Sequence, residues 1–187
     1  MADFDTCVEY AKTQIYFQHH LKEKQLDTLR NLYEGRDVVS VLPTGYGKSV
    51  IFQLLPWMFQ RKHNSATPYI VLIICPLNSI MEDQVMGLRE KGISACYMSG
   101  ASSKTFMTEG EFDDDNSEDI NPDEDGIFEL TIKDVSFKDI ADGKYNIIYA
   151  HPESALCKRI HSVLRSPLYQ DKICSVVIDE VHMISEW

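Results

Sequence analysis

A short apolar run that leads into a glycine-bearing loop is the feature that most restricts the fold of this chain. The run is Val38-Val39-Ser40-Val41, and an amphipathic segment typical of a helix follows the loop. A strand, a glycine-containing loop and a helix in this order form a cradle in which backbone N–H groups converge on an anion. We therefore predict a first strand over Val38–Leu42 and a phosphate-binding loop made of Pro43, Thr44, Gly45, Tyr46, Gly47, Lys48 and Ser49.

The residue types in the loop match the needs of a bound triphosphate. Gly45 and Gly47 let the backbone approach oxygen atoms that a Cβ would block. Lys48 would bring its charge to the β- and γ-phosphates, and the Ser49 hydroxyl would complete a Mg²⁺ shell. Leu42 stands where the full consensus has a first glycine, so a glycine-rich turn without a ligand is the alternative interpretation. The pattern favours a site for a nucleoside triphosphate with Mg²⁺.

Two acids at the end of a late apolar strand supply the other half of such a site. Asp179 and Glu180 directly follow Ser175-Val176-Val177-Ile178. Asp179 could reach Mg²⁺ through its water shell, and Glu180 could orient the attacking water in phosphoryl transfer. A helix N-cap is the alternative role for the pair. Ligands of open parallel sheets bind beyond the carboxyl ends of the strands, so we expect both acids to lie near Lys48.

The chain alternates strands with helices, which predicts an α/β fold with a mostly parallel sheet covered by helices on both faces. The run Tyr69–Ile74 is almost wholly apolar, as in a strand buried on both faces. Helices are predicted over 21–33, over 47–59 with an interruption near Pro56, and over 154–164. Residues 1–20 are interpreted as an N-terminal extension and residues 21–187 as one domain.

The negative charge of the chain is concentrated in one segment. The net charge is −11, but residues 109–125 contain ten acids and no Lys or Arg, and the remainder is close to neutral. We interpret residues 104–144 as an acidic insertion that is disordered because it cannot bury enough apolar surface. A mimic of phosphate that competes for a basic groove is the alternative. The five cysteines are scattered without a C-x-x-C pair, which argues against a zinc site and for an intracellular chain.

Six segments, in order, resemble the motifs of RecQ-like superfamily-two DNA helicases. They are Leu21–Gln25 (motif 0), Leu42–Ser49 (motif I), Cys75–Val85 (motif Ia), Tyr149–Glu153 (motif Ib), Asp179–His182 (the D-E-x-H box) and Met183–Trp187 (the start of the aromatic-rich loop). The resemblance covers the chain from residue 21 onward except the acidic insertion. It implies the first RecA-like domain of a P-loop NTPase that uses ATP and Mg²⁺.

The resemblance also implies roles for individual residues. Gln25 would read the adenine edge while Lys22 packs near the base. Lys48, Asp179, Glu180 and His182 would be catalytic, with Ser49 and Asp179 at the metal. Contacts with single-stranded or duplex DNA are expected from Ser79, Gln84, Pro152, Glu153 and Trp187.

Departures from the family pattern limit what we expect of this chain. Glu82 occupies a motif Ia position where the family often carries a lysine, which weakens the expected contact with the DNA backbone. The family's second RecA-like domain, with its arginine finger, would come after Trp187. We therefore expect a fragment of a longer 3′–5′ helicase or a truncated product, slow or inactive by itself. The alternative is a non-catalytic nucleotide- or DNA-binding regulatory module.

The expected location rests on two kinds of argument. The sequence has no signal peptide and no apolar run long enough to cross a membrane. The nucleus is implied by the resemblance alone, and the sequence leaves protein partners undefined.

Overall fold

The computed structural model describes residues 2–100, 130–131 and 135–181. The described elements are α1 (Phe4–Gln14), α2 (Glu23–Tyr33), α3 (Lys48–His63), β1 (Ile70–Ile74), α4 (Asn78–Glu90), β2 (Ala95–Gly100), β3 (Leu130–Thr131), α5 (Phe137–Ala141), β4 (Ile147–Ala150), α6 (Pro152–Leu156), α7 (Lys158–Leu164), α8 (Pro167–Lys172) and β5 (Ile173–Ile178). Within these ranges no helix is both long and apolar enough to span a bilayer.

The strands form one sheet in the order β3-β2-β4-β1-β5. Strand β1 lies parallel to both β4 and β5, and β2 lies parallel to β4. The two-residue strand β3 pairs antiparallel with β2 at the sheet edge. The four longer strands therefore form the parallel sheet that the alternation of strands and helices predicts.

Each face of the sheet has its own apolar core because side chains alternate along a strand. Val71 and Ile73 of β1 belong to the cluster that includes α1, α3 and α4. Ile70 and Leu72 belong to the cluster on the other face, with residues of α5, α7 and α8. Burying an aliphatic side chain of this size contributes about 1.5–3 kcal/mol. Strand β1 is therefore stabilised from both sides, which explains its continuous apolar sequence.

Helix α1 is part of the core and not an appended extension. Its buried residues are spaced as one helical face and pack, with the C-cap residue Ile15, into the cluster around α3: Phe4, Cys7, Val8 and Ala11. The Asp3 carboxylate caps the helix by accepting from the Thr6 N–H at 2.9 Å, and this hydrogen bond lowers the pKa of Asp3. We therefore propose that the domain begins before residue 21.

The predicted first strand, Val38–Leu42, is wrong. The segment is extended, but its backbone pairs with no strand among the described residues. The Val39 and Val41 side chains are 89% and 84% exposed. The outer edge of β5 likewise has no neighbouring strand in the described ranges. A β-favouring sequence becomes a strand only where it pairs with another strand, and this segment pairs with none of the described strands.

Two predicted helices have different bounds in the structure. Helix α3 continues through Pro56 to His63, because its eight buried residues outweigh the one hydrogen bond that proline removes. The helix predicted over 154–164 is two helices, α6 and α7, separated by the extended backbone of Cys157 (φ −66°, ψ 147°).

The predicted acidic insertion lies largely outside the described residues. Its last ten residues do not fit the prediction, since α5 is folded and the Ile140 side chain is 1% exposed. The Tyr169 hydroxyl donates a 2.5 Å hydrogen bond to the Ile140 carbonyl oxygen. Residues 135–144 are therefore part of the second core.

Candidate nucleotide site

The loop before α3 has the backbone of a phosphate cradle. Gly45 and Gly47 have φ values of +76° and +91°, which L-residues with a side chain rarely adopt. The Tyr46 N–H donates to the Pro43 carbonyl oxygen at 3.1 Å, closing a turn. Helix α3 begins directly after the loop, at Lys48. Unpaired N–H groups at a helix start favour an anion, so the loop fits the phosphates of a nucleotide.

The Gln25 side chain holds this loop from helix α2. Its Nε2 donates to the carbonyl oxygens of Gly47 at 2.9 Å and Tyr46 at 3.2 Å. Its Oε1 accepts from the Lys22 backbone N–H at 2.8 Å, and the residue is only 3% exposed. Both amide N–H groups are used within the protein, so this geometry makes Gln25 a positioning residue for the loop. Its contact with adenine stays a prediction.

The Lys22 side chain lies against the same loop. Its Nζ is 4.3 Å from the centroid of the Tyr46 ring and donates to the Tyr46 carbonyl oxygen at 3.2 Å. A cation over an aromatic face is attracted by the negative centre of the ring. The side chain is exposed, which suits the predicted position near a base. Lys22, Gln25 and the loop therefore form one connected surface.

Lys48 and Glu180 meet, although 132 residues separate them in the chain. The Lys48 Nζ lies 3.5 Å from the Glu180 Oε1, and both side chains are partly buried. Glu180 has a φ of +53°, a left-handed conformation that costs a residue with a Cβ about 1–3 kcal/mol. Such strain concentrates at functional sites, where the fold holds a side chain in a required direction. The expected proximity to Lys48 is confirmed for Glu180.

Asp179 is fixed by two backbone hydrogen bonds at the end of β5. Its N–H donates to the Ile74 carbonyl oxygen at 2.9 Å, and its Oδ1 accepts from the Glu180 N–H at 3.0 Å. Ser49 follows Lys48 in the first turn of α3 and is partly buried. A hydroxyl and a carboxylate are the hard oxygen donors that Mg²⁺ prefers, and Mg²⁺ keeps several waters. The donor chemistry of Ser49 and Asp179 therefore fits this metal.

Three of the predicted DNA-contact residues, Ser79, Pro152 and Glu153, follow the carboxyl ends of β1 and β4. Ser79 is exposed at the start of α4, and Glu153 is exposed in α6. Pro152 is buried as the first residue of α6, so only its backbone could face a ligand. Gln84 is half-buried, and its Oε1 accepts from the Gln53 Nε2 at 3.0 Å. His182 and Trp187, which the resemblance assigns to the site, lie outside the described residues.

Sequence reasoning missed two polar contacts near this edge. Glu82 accepts a 2.6 Å hydrogen bond from the Tyr97 hydroxyl, so the acid at the usual lysine position has a structural partner. The second contact is the hydrogen bond between Gln84 and Gln53. Gln53 interrupts an otherwise apolar stretch of α3, Val50–Trp57. A polar residue in an apolar run was the signal in the sequence for such a contact, because a buried side-chain amide needs hydrogen-bond partners.

Comparison with known proteins agrees with this geometry. The DEAD/DEAH box helicase family matches residues 22–124, more than half of the chain. The chain is 32% identical over 174 residues to the mouse bifunctional 3′-5′ exonuclease/ATP-dependent helicase WRN, covering 92% of this chain and 10% of that protein. It is 27% identical over 187 residues to the ATP-dependent DNA helicase RecQ of Synechocystis, covering all of this chain and 31% of that protein.

A third relative is the yeast ATP-dependent helicase SGS1, which is 29% identical over 187 residues and covers 96% of this chain and 10% of that protein. The chain thus spans between about a tenth and a third of the length of these relatives. The phosphate loop, the paired Lys48 and Glu180 and the family match agree, and the chain belongs to the DEAD/DEAH box helicase family, with similarity to its RecQ-type members.

Proposed function

We propose that this chain is the ATP-binding first motor domain of a RecQ-type DNA helicase that unwinds DNA 3′ to 5′ in its full-length form. The observation that carries the proposal is the contact between Lys48 and Glu180 beside the phosphate loop. Full activity in this proposal needs a second RecA-like domain, whose arginine finger accelerates such reactions about 10³–10⁵-fold. Location in the nucleus and a role in DNA repair and recombination belong to the same proposal and rest on resemblance.

The roles of the residues follow from their contacts. The triphosphate would lie on the Gly45–Gly47 backbone at the start of α3, where the N–H groups favour anions. Mg²⁺ would neutralise charge on the phosphates from the side of Ser49 and Asp179. Lys48 would exchange the Glu180 carboxylate for phosphate oxygens. The exchange leaves Glu180 able to orient a water molecule for attack on the γ-phosphate.

Single-stranded DNA would lie across the edge formed by the starts of α4 and α6. Ser79 and Glu153 are exposed there. Backbone N–H groups and hydroxyls contact phosphates without requiring a net positive charge. The negative charge of the chain is therefore compatible with DNA as a partner.

Binding of a fluorescent ATP analogue with Mg²⁺ tests the proposed nucleotide site. Lys48→Ala should weaken the affinity about 10- to 150-fold, since a charge-assisted hydrogen bond contributes about 1.5–3 kcal/mol. Lys91→Ala, which removes the same charge from an exposed lysine after α4, is the matched control. Equal affinity in the Lys48 and Lys91 variants would place the nucleotide elsewhere.

The rate of phosphate release from ATP distinguishes the proposed motor domain from the alternative, a non-catalytic regulatory module. The wild-type chain should release phosphate from ATP slowly but faster than Glu180→Gln, because a carboxylate polarises the attacking water more strongly than a neutral amide does. Equal phosphate release by the two proteins, with binding intact, would favour a non-catalytic binding module.

A further inference from the structure

The loop between α3 and β1, residues 64–69, lies at the opposite end of the sheet from the nucleotide site. It leads into the first residue of β1, Ile70, whereas Lys48 and Glu180 meet at the end of the sheet where β5 finishes. Thr67 is exposed and belongs to no helix or strand. Another protein could therefore reach Thr67 while the nucleotide site is occupied.

Lys172 lies at the same end of the sheet, directly before β5, and its side chain contacts this loop. Its Nζ donates to the Ser65 Oγ at 3.1 Å and to the Thr67 Oγ1 at 3.2 Å, and it lies 5.3 Å from the centroid of the Tyr69 ring. The neighbouring acid, Asp171, is exposed. Lys172 is half-buried and has no ion pair with a carboxylate in the described part of the chain. A phosphate on a nearby hydroxyl would give this ammonium an anionic partner.

The sequence around the loop distinguishes one hydroxyl from the others. Two hydroxyl residues precede a proline, Thr67 before Pro68 and Ser166 before Pro167. Proline favours extended backbone in the residue before it, the form in which protein kinases bind their substrates, and one class of these kinases requires the proline. The Ser166 hydroxyl caps α8 by accepting from the Tyr169 N–H at 3.4 Å, and Ser166 is only partly exposed. Thr67 combines exposure, the following proline and a cation at its hydroxyl.

We propose that Thr67 is a phosphorylation site of a proline-directed protein kinase and that its phosphate pairs with Lys172. In the transfer, the Thr67 Oγ1 attacks the γ-phosphorus of the ATP bound to the kinase. The new O–P bond forms as the bond from that phosphorus to ADP breaks, and the hydroxyl proton passes to the catalytic carboxylate of the kinase. The phosphate adds a charge of about −1.5 to −2 and three acceptor oxygens, so Lys172 gains a charge-assisted hydrogen bond.

This ion pair would link the end of α3 to the start of β5. Helix α3 begins with Lys48, and β5 leads into Asp179 and Glu180. The phosphate therefore joins the far ends of the two elements that carry the nucleotide-site residues. Both the modification and the pairing with Lys172 are independent of the proposed function, because neither requires the chain to bind ATP or DNA.

The first experiment locates the phosphate. The 187-residue chain is incubated with a purified proline-directed serine/threonine kinase and Mg²⁺-ATP, and its tryptic peptides are sequenced by mass spectrometry. Thr67 should carry the phosphate, and Thr67→Val, which keeps the shape of the side chain, should lose it. Ser166→Ala is the matched control at the other proline-linked hydroxyl and should keep the incorporation. No phosphate on the wild type, or phosphate on Ser166 in place of Thr67, would overturn the proposal.

The second experiment measures the pairing with Lys172 by ³¹P NMR of the phosphorylated chain during a pH titration. A phosphothreonine has a second pKa of about 6, and a nearby cation favours the dianion and lowers that pKa. The pKa of the phosphate should therefore be roughly 0.2–0.7 lower in the wild type than in Lys172→Ala. Lys91→Ala, which removes an exposed charge after α4, should match the wild type. Equal pKa values in the wild type and Lys172→Ala would refute the ion pair.

Discussion

Replacement of Phe4 by alanine tests whether α1 belongs to the folded domain. Phe4 is 7% exposed, its ring packs edge-on to Tyr33 at 5.6 Å, and the Arg30 guanidinium lies 4.3 Å above it. Removal of a buried phenylalanine side chain costs about 3–5 kcal/mol. In a domain of 150–250 residues each kcal/mol lowers Tm by about 2–4 °C. We expect Phe4→Ala to lower Tm by roughly 6–20 °C.

Circular dichroism during heating measures this shift, and Glu9→Ala is the control on the same helix. Glu9 is exposed and forms a surface ion pair with Lys12 at 2.8 Å. Such pairs contribute about 0.3–0.5 kcal/mol, so Tm should fall by only about 1–2 °C. If the two variants have the same Tm, α1 does not stabilise the domain and residues 1–20 are an extension after all.

Four further substitutions test the site and the core. Glu180→Gln should leave ATP affinity unchanged or up to about 5-fold tighter, because Lys48 loses a competing partner; a loss as large as in Lys48→Ala would contradict the pairing. Gly47→Ala should destabilise the chain by about 1–2 kcal/mol and weaken ATP binding, because φ is +91°. Gly87→Ala, with open space around the Cβ position, should be neutral or stabilising in the same urea titrations. Burial raises the pKa of the Cys96 thiol to about 12, so the folded state holds this proton after the unfolded chain releases it. Between pH 9 and pH 12 this one thiol should lower the stability by about 1.4 kcal/mol per pH unit, and Cys96→Ala should show a shallower fall than the wild type.

The nucleotide site could be predicted from sequence because its signals are local. The glycines of the loop and Lys48 closely follow a short apolar run, and the two acids directly follow β5. The rule that ligands bind beyond the carboxyl ends of parallel strands then brings them together, and the 3.5 Å contact of Lys48 with Glu180 confirms it.

The features that sequence reasoning missed depend on distant partners. Val38–Leu42 has the composition of a strand, but a strand also needs a neighbour, and composition does not show whether one is present. Helix α1 lacks a long apolar run, so its role became visible only where Val8 and Ala11 pack against α3. Helix α3 crosses Pro56 because tertiary burial outweighs local propensity, a comparison that periodicity alone does not make.

The outer edge of β5 has a practical consequence for work with the purified chain. A strand edge carries N–H and C=O groups that pair readily with another polypeptide, and Val176 and Ile178 add apolar surface there, at 58% and 47% exposure. Mutual repulsion between copies with a net charge of −11 opposes such association, and salt screens that repulsion. Dilute solutions of low ionic strength therefore favour the monomer, whereas concentrated protein in high salt favours aggregation through this edge.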